Sequence, residues 1–199
     1  MVSMELHLGF LASHNGSNVR SILDYISSEE LEAYPKVIIS NNPDAHVLDL
    51  GIERKVTVFC LNKRNSKDLD TKILEVLQRY DVNLVILAGY MKRLGKKVLE
   101  AYPNRVLNIH PALLPKYGGK GMYGMNVHQA VIDSSDTESG ATIHLVDEKY
   151  DHGRIISQYK VPRFEKDTVE TLAERVLRVE HVLYPQTLMD IQRGIISLD

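Results

Sequence analysis

Two polar residues that alternate along a short apolar segment have the side chains that acyl-transfer chemistry uses. Asn108 and His110 flank Ile109 in the run from Val106, and Pro111 follows at once. If this run is a strand, the side chains of Asn108 and His110 project to the same face. An amide donor beside an imidazole can stabilise an oxyanion and transfer a proton. A histidine that only binds a backbone carbonyl explains the pattern equally well, so the pattern alone leaves both roles open.

A carboxylate farther along the chain is a candidate partner for this histidine. Asp151 lies in the sequence Asp151-His152-Gly153, after an apolar segment. An Asp close to a Gly in a loop is most often part of a turn. If the fold brings Asp151 to His110, the carboxylate would orient the imidazole and raise its pKa. The sequence predicts a functional role for Asp151 only in that case.

A turn near the start of the chain has the composition of an anion site. Asn15-Gly16-Ser17-Asn18 follows an apolar segment and precedes a helical pattern. Free backbone N–H groups and the positive end of the helix dipole would face an anion there, and phosphate is the natural occupant. An ordinary helix N-cap also explains Ser and Asn at these positions. The turn does not read G-x-G-x-x-G, so it does not indicate a dinucleotide.

The remaining candidate ligands and nucleophiles favour structural roles. His7, His46 and His144 lie in or near strand or helix patterns, where packing is commoner than function. Cys60 is on the apolar alternation of a strand, which indicates a core residue. The sequence has neither an H-E-x-x-H nor a G-x-S-x-G pattern, so it predicts no metal site and no serine nucleophile of that type.

Strand-length apolar segments alternate with helical periods, and this alternation predicts the elements that position the candidate residues. The expected strands are residues 6–12, 37–40, 56–60, 84–88, 106–110, 141–146 and 155–159. Apolar stripes predict helices over 19–26, 69–80 and 167–191, the last with Asp167 and Glu170 in capping-box positions. This order predicts an α/β fold with a doubly wound, mostly parallel sheet, whose ligands bind at the carboxyl ends of the strands.

Length and charge limit the classes of protein to which this chain can belong. No linker or repeat divides the 199 residues, so residues 1–199 are expected to form a single domain. Lys plus Arg number 24 and Asp plus Glu number 26, a balance that argues against nucleic acid as a partner. No apolar run is long enough to span a membrane, and the segment from Met1 to Leu11 lacks the basic flank of a signal peptide. With one cysteine and no targeting segment, the expected compartment is the cytoplasm.

Five segments, taken together and in order, resemble the phosphoribosylglycinamide formyltransferase family, also called the GAR transformylases. The resemblance covers nearly the whole chain. It is carried by Asn15-Gly16-Ser17-Asn18, Leu87-Ala88-Gly89-Tyr90-Met91, Leu107 to Lys116, Asp151 with Gly153, and Glu180-His181 with Tyr184-Pro185. One such motif would be weak evidence, whereas five in register argue against a chance resemblance.

The resemblance implies a Rossmann-like formyltransferase fold and a role in de novo purine biosynthesis. In that family, the formyl group of the co-substrate 10-formyltetrahydrofolate passes to the amine of glycinamide ribonucleotide, and no metal is required. Both partners are small molecules. A homodimer is one assembly that the resemblance allows.

The resemblance also assigns roles to individual residues. It implies that Asn108, His110 and Asp151 are catalytic, and that Gly16, Ser17 and Asn18 hold the substrate phosphate. Glu180 matches a carboxylate that contacts the substrate amine. The residues implied at the folate are Lys67, Met91, Lys92, Arg93, Leu94, Asn108 and Val146.

The sequence departs from the family pattern in three places. His14 stands where the phosphate turn commonly has a glycine, and Lys92-Arg93 stands where one Arg and an apolar residue are common. The stretch from Gly118 to Met125 contains four glycines and is longer than the link in many members, which predicts a mobile flap. Two rival activities stay open: formyl transfer to another amine, such as a nucleotide-linked amino sugar, and hydrolysis by a formyltetrahydrofolate deformylase.

Overall fold

The described part of the chain contains seven strands and six helices, which mostly alternate and are numbered here in chain order. The computed structural model describes residues 4–64 and 66–199, so the start of the segment from Met1 to Leu11 lies outside the described residues, as does Asn65. The strands are β1 (Leu6–Leu11), β2 (Ala33–Ser40), β3 (Thr57–Cys60), β4 (Leu84–Leu87), β5 (Val106–His110), β6 (Glu138–Leu145) and β7 (Ile155–Pro162). The helices are α1 (Ser17–Ser27), α2 (His46–Glu53), α3 (Leu69–Arg79), α4 (Lys96–Ala101), α5 (Met125–Ile132) and α6 (Val169–Gln192).

All seven strands form one sheet in the order β3-β2-β1-β4-β5-β6-β7. The pairs among β1 to β5 are parallel, and β6 and β7 are added antiparallel to that edge. The strand order reverses between β1 and β4, and in open α/β sheets this switch point leaves a crevice at the carboxyl ends of the strands. The prediction of a doubly wound, mostly parallel sheet is confirmed.

Apolar residues on the two faces of the sheet form two cores. One contains Leu8 and Phe10 of β1 together with Tyr184 of α6, and the other contains Leu11 together with Leu77 of α3. Gly9 faces α3 closely, because a Cβ at this position would lie 2.7 Å from the side chain of Leu77. Burial on both faces explains why the central strands read as continuous apolar runs rather than as alternating ones.

The start of α6 differs from its prediction. Thr168 is the N-cap, and it forms a reciprocal capping box with Thr171. Asp167 instead binds Arg175, whose two guanidinium nitrogens donate to its carboxylate at 2.6 Å. The prediction of a capping box from Asp167 and Glu170 is therefore wrong, because a bidentate arginine takes the first carboxylate.

The sequence pattern does not predict three short helices, α2, α4 and α5, which have eight, six and eight residues. Each is too short to show a clear apolar period. Within residues 4–64 and 66–199, no helix combines the length and the apolar character that crossing a membrane requires.

Candidate active site

A cavity of about 1000 Å³ opens at the carboxyl ends of β1, β4 and β5. Its walls come from the loops that follow these strands, from the β6–β7 loop, from α5 and from one face of α6. This is the crevice that the switch point between β1 and β4 predicts. Asn108, His110 and Asp151 all line it, together with Gly16, Ser17 and Asn18. The fold therefore brings the catalytic candidates and the phosphate turn to one cavity.

His110 closes β5 with its side chain almost fully buried. Its Nε2 donates a hydrogen bond to the backbone carbonyl of Tyr117 at 2.8 Å, since a carbonyl can only accept. Its Nδ1 lies 3.6 Å from Oδ2 of Asp151, which is close enough for an electrostatic interaction and too long for a hydrogen bond. The fold thus brings Asp151 close to His110, and His110 also makes the backbone-carbonyl contact of the alternative interpretation.

The pKa of His110 moves in the direction opposite to the one predicted. Burial lowers this pKa below its ordinary value of 6.5, and this effect outweighs the opposing charge of Asp151. The expectation that Asp151 would leave His110 with a raised pKa is therefore wrong, because the sequence does not reveal how deeply the imidazole is buried. The imidazole of His110 is therefore mostly neutral at pH 7, even with the carboxylate of Asp151 nearby.

Asn108 points to the same end of the cavity and binds a second histidine. Its amide Nδ2 donates to Nε2 of His144 at 3.1 Å, and Nδ1 of His144 donates to the carbonyl of Leu145 at 2.8 Å. Both contacts require the same tautomer, with the proton of His144 on Nδ1. His144 is buried, as its strand pattern predicted, but its contact with Asn108 was missed.

Asp151 is held from three directions. Its oxygens lie 3.6 Å from His110 and 3.6 Å from His144, and the backbone N–H of Gly119 donates to Oδ2 at 2.9 Å. Burial acts to raise the pKa of Asp151, but the interactions with His144, His110 and Gly119 together hold it below the ordinary range. Asp151 is therefore ionised at neutral pH, and its carboxylate lies next to two imidazole rings.

The phosphate turn leaves the N-terminus of α1 open to the cavity. Gly16 is the N-cap, with φ of 67°, and no side chain caps the helix in the described part of the chain. A Cβ on Gly16 would lie 2.4 Å from the side chain of Val47, so glycine is needed for both backbone and space. Ser17 and Asn18 therefore do not cap the helix with their side chains. The first N–H groups of α1 remain available to an anion.

His14 precedes this turn and Asn18 ends it. His14 is not among the residues of positive φ, so it does not need the conformation that a glycine would supply. Asn18 donates from Nδ2 to Oε2 of Glu180 at 2.6 Å. Burial raises the pKa of Glu180 to about 7, which the bond from Asn18 offsets only in part. The carboxyl group of Glu180 therefore borders the phosphate turn in a form that is half protonated near neutral pH.

The other end of the cavity is lined by most of the residues implied at the folate. Met91, Lys92, Arg93, Leu94 and Val146 all border it. Arg93 binds the backbone carbonyl of Glu148 and lies 5.9 Å from the ring of Tyr150, which ties the β4–α4 loop to the β6–β7 loop.

Lys67 is placed elsewhere, exposed before α3 and outside the residues that line the cavity. The stretch from Gly118 to Met125 forms a cavity wall from Gly119 onwards, and its Gly119 N–H binds Asp151. Across the described residues, no group of three or more His, Cys, Asp or Glu side chains has the arrangement of a metal site.

Comparison with known proteins agrees with this geometry. The chain is 39% identical to the chloroplastic phosphoribosylglycinamide formyltransferase of Arabidopsis thaliana over 91% of its own length and 63% of the relative's. It therefore spans less than two thirds of that relative. It is 36% identical to the phosphoribosylglycinamide formyltransferase of Haemophilus influenzae, over 96% of its own length and 89% of the relative's.

A solved structure shows the same fold. The crystal structure of glycinamide ribonucleotide transformylase 1 from Symbiobacterium toebii superposes with a TM-score of 0.88 at 35% identity, covering 96% of this chain and 89% of that one. The sequence model described as formyl transferase matches residues 7–188, which include every cavity residue described above. The chain belongs to the formyl transferase family.

Proposed function

We propose that this protein transfers the formyl group of 10-formyltetrahydrofolate to the amine of glycinamide ribonucleotide, a step of de novo purine biosynthesis. The proposal rests on the contents of one cavity. The uncapped N-terminus of α1 and the cluster of Asn108, His110 and Asp151 both line it. An acceptor with a phosphate and a primary amine has the groups that these two parts bind. The names of the relatives support the same substrates.

The acceptor side consists of the phosphate turn and Glu180. The N–H groups at the start of α1, beside Gly16, Ser17 and Asn18, bind the phosphate because the helix dipole is positive there. Glu180 contacts the acceptor next to this turn, and its carboxylate accepts a hydrogen bond from the neutral amine that attacks the formyl carbon. The donor side consists of Met91 to Leu94 and Val146, whose apolar atoms cover the folate ring system while Asn108 reaches its formyl group.

The reaction needs charge stabilisation and one proton transfer. The acceptor nitrogen attacks the formyl carbon, a C–N bond forms, and the formyl oxygen becomes negatively charged. The Nδ2 group of Asn108 donates to this oxyanion, and the negative charge raises the pKa of His110 so that a protonated imidazole is stabilised beside it. The C–N bond to the folate then breaks.

Asp151 transfers the proton that this reaction moves between the two nitrogens. The acceptor nitrogen loses one proton and the folate nitrogen gains one, and the protein ends unchanged. Asp151 is ionised and contacts both imidazoles, so it can accept the proton and return it, directly or through water. The carboxylate also stabilises the charged form of His110 while the oxyanion exists.

Formyl transfer by the purified protein, measured with 10-formyltetrahydrofolate and a panel of amines, tests the proposal. We expect turnover with glycinamide ribonucleotide, and little with amines that lack a phosphate. Preferred turnover with a nucleotide-linked amino sugar would identify a different acceptor. Release of formate at the same rate with and without any amine would identify a deformylase instead.

Three further expectations belong to the same proposal. Residues 1–199 act as one formyltransferase domain, which the single continuous sheet supports. The expected compartment is the cytoplasm. A homodimer is the assembly to test for, and light scattering of the purified protein measures it. All three expectations can be tested without changing either substrate site.

A further inference from the structure

One buried histidine of the cavity has no part in the chemistry described above. His128 is the fourth residue of α5, with 5% of its surface exposed, and it borders the same cavity as His110. Its Nδ1 is enclosed and has no hydrogen-bond partner among residues 4–64 and 66–199. By contrast, both ring nitrogens of His144 have hydrogen-bond partners, and Nε2 of His110 has one. A buried polar atom without a partner needs an explanation.

The ring of His128 is neutral. Burial lowers the pKa of His128 to about 4, and the electrostatic interaction with the protonated form of His110 acts in the same direction. A neutral imidazole has one N–H and one nitrogen with a free lone pair. An unpaired N–H inside a protein is rarer than an unpaired acceptor, so the enclosed Nδ1 is the nitrogen with the lone pair. The N–H is then on Nε2.

The enclosed position of Nδ1 determines where the N–H donor of His128 points. Because Nδ1 is the enclosed nitrogen, the edge of the ring that borders the cavity carries Nε2. An N–H group therefore points into the cavity close to His110, where the acceptor amine must lie during attack. Glycinamide ribonucleotide has an amide carbonyl one carbon away from that amine, and this carbonyl is the nearest hydrogen-bond acceptor on the substrate.

We propose that His128 is an acceptor-binding residue, whose Nε2–H donates a hydrogen bond to the amide carbonyl of the amine substrate. The inference rests on the proposed function, since it takes its substrate from there. The hydrogen bond fixes the glycinamide arm so that its amine faces the formyl carbon. It exists before and during attack, so it strengthens binding of the acceptor more than it accelerates the chemical step.

Three substitutions test this assignment by steady-state kinetics with glycinamide ribonucleotide and 10-formyltetrahydrofolate. His128→Leu removes both nitrogens, and we expect the acceptor KM to rise about 10-fold or more, with the donor KM unchanged and kcat within about 3-fold. His128→Gln places an amide N–H near the position of Nε2 and restores the acceptor KM. His128→Asn places its amide near Nδ1 and does not restore it.

Stability separates this role from packing. In His128→Leu the unpaired Nδ1 is gone, so the melting temperature should not fall while the acceptor KM rises. His46→Leu, at an exposed helical histidine, serves as the control and changes neither quantity. An unchanged acceptor KM in His128→Leu, or equal values for the Gln and Asn variants, overturns the inference. If the wild-type protein itself does not formylate glycinamide ribonucleotide, the proposed function fails first, and this assignment fails with it.

Discussion

The Nδ2 atom of Asn18 donates a hydrogen bond to Oε2 of Glu180 at 2.6 Å, across 162 positions of the chain. This contact joins the first turn of α1 to the middle of α6. Both residues are 7% exposed, and burial raises the pKa of Glu180 to about 7. The acceptor end of the cavity therefore contains a carboxyl group whose charge changes near neutral pH, and this change affects both stability and binding.

The first prediction concerns the pH dependence of stability in Glu180→Gln. The folded protein binds this proton more tightly than the unfolded chain, whose carboxyl has the ordinary pKa of 4.5. The stabilisation by the neutral carboxyl is complete below about pH 4.5, and it is lost as the pH rises through about 7. The free energy of unfolding falls by about 3 kcal/mol over that window. Gln cannot ionise, so the variant should not show this loss.

Urea unfolding at pH 5, 6, 7 and 8 measures this difference between wild type and variant. Glu174→Gln, at an exposed carboxylate on the same helix, is the matched control and should leave the pH dependence as it is in the wild type. If the curves of wild type and Glu180→Gln are parallel, Glu180 does not titrate in this window.

The second prediction concerns Gly16→Ala and inorganic phosphate. Phosphate should compete with the acceptor and not with the folate in the wild-type protein, because it occupies the N-terminus of α1. Alanine at position 16 places a Cβ against Val47 and strains a φ of 67°, so the turn must move. We expect phosphate inhibition to weaken about 10-fold or more, with a stability loss of about 1–3 kcal/mol.

Gly194→Ala is the matched control for this substitution. Gly194 has φ of 70° after the end of α6, and it lies outside the cavity lining. Its alanine variant should lose stability through backbone strain while phosphate inhibition is unchanged. Competition of phosphate with the folate alone would contradict the placement of the phosphate.

The sequence was sufficient for the class of sheet, and all of the predicted site residues except Lys67 line the cavity. Asn108 and His110 alternate on one strand, and Gly16 precedes a helix with a clear apolar stripe, so local periodicity positions all three. Asp151 required the fold as well, because only the sheet order brings the β6–β7 loop next to the end of β5. For that residue the family resemblance supplied what the spacing could not.

His144 shows why the rest of the site was not predictable. It meets Asn108 because the two residues pair in register across the antiparallel strands β5 and β6. The β6 segment alone gives no sign of this register, which depends on where the chain returns to the sheet. The pKa of His110 was missed for a related reason: its direction depends on burial, and burial is set by packing from several elements at once.

The third prediction concerns turnover in Asn108→Ala and His110→Ala. Each variant loses one group that stabilises the oxyanion, so kcat should fall by about 100-fold or more while the circular dichroism spectrum stays native. The matched control is His46→Ala, since His46 is an exposed helical histidine that is not among the residues lining the cavity. Near-normal turnover of a stable variant would show that the residue is structural.

The last prediction concerns the effect of Asp151 on His110. Asp151→Asn keeps the size of the side chain and removes its charge, and that charge opposes the lowering of the His110 pKa by burial. NMR titration should therefore show a still lower pKa for His110 in the variant, and the limb of the kcat profile that His110 governs should move to lower pH. Part of the activity loss should persist at every pH, because the carboxylate no longer relays the proton. The control is Asp147→Asn. Asp147 lies in the same loop and its carboxylate pairs with exposed His152, so this variant measures the effect of losing one negative charge from the loop. If Asp151→Asn leaves the pKa of His110 where the control leaves it, the 3.6 Å contact has no electrostatic consequence.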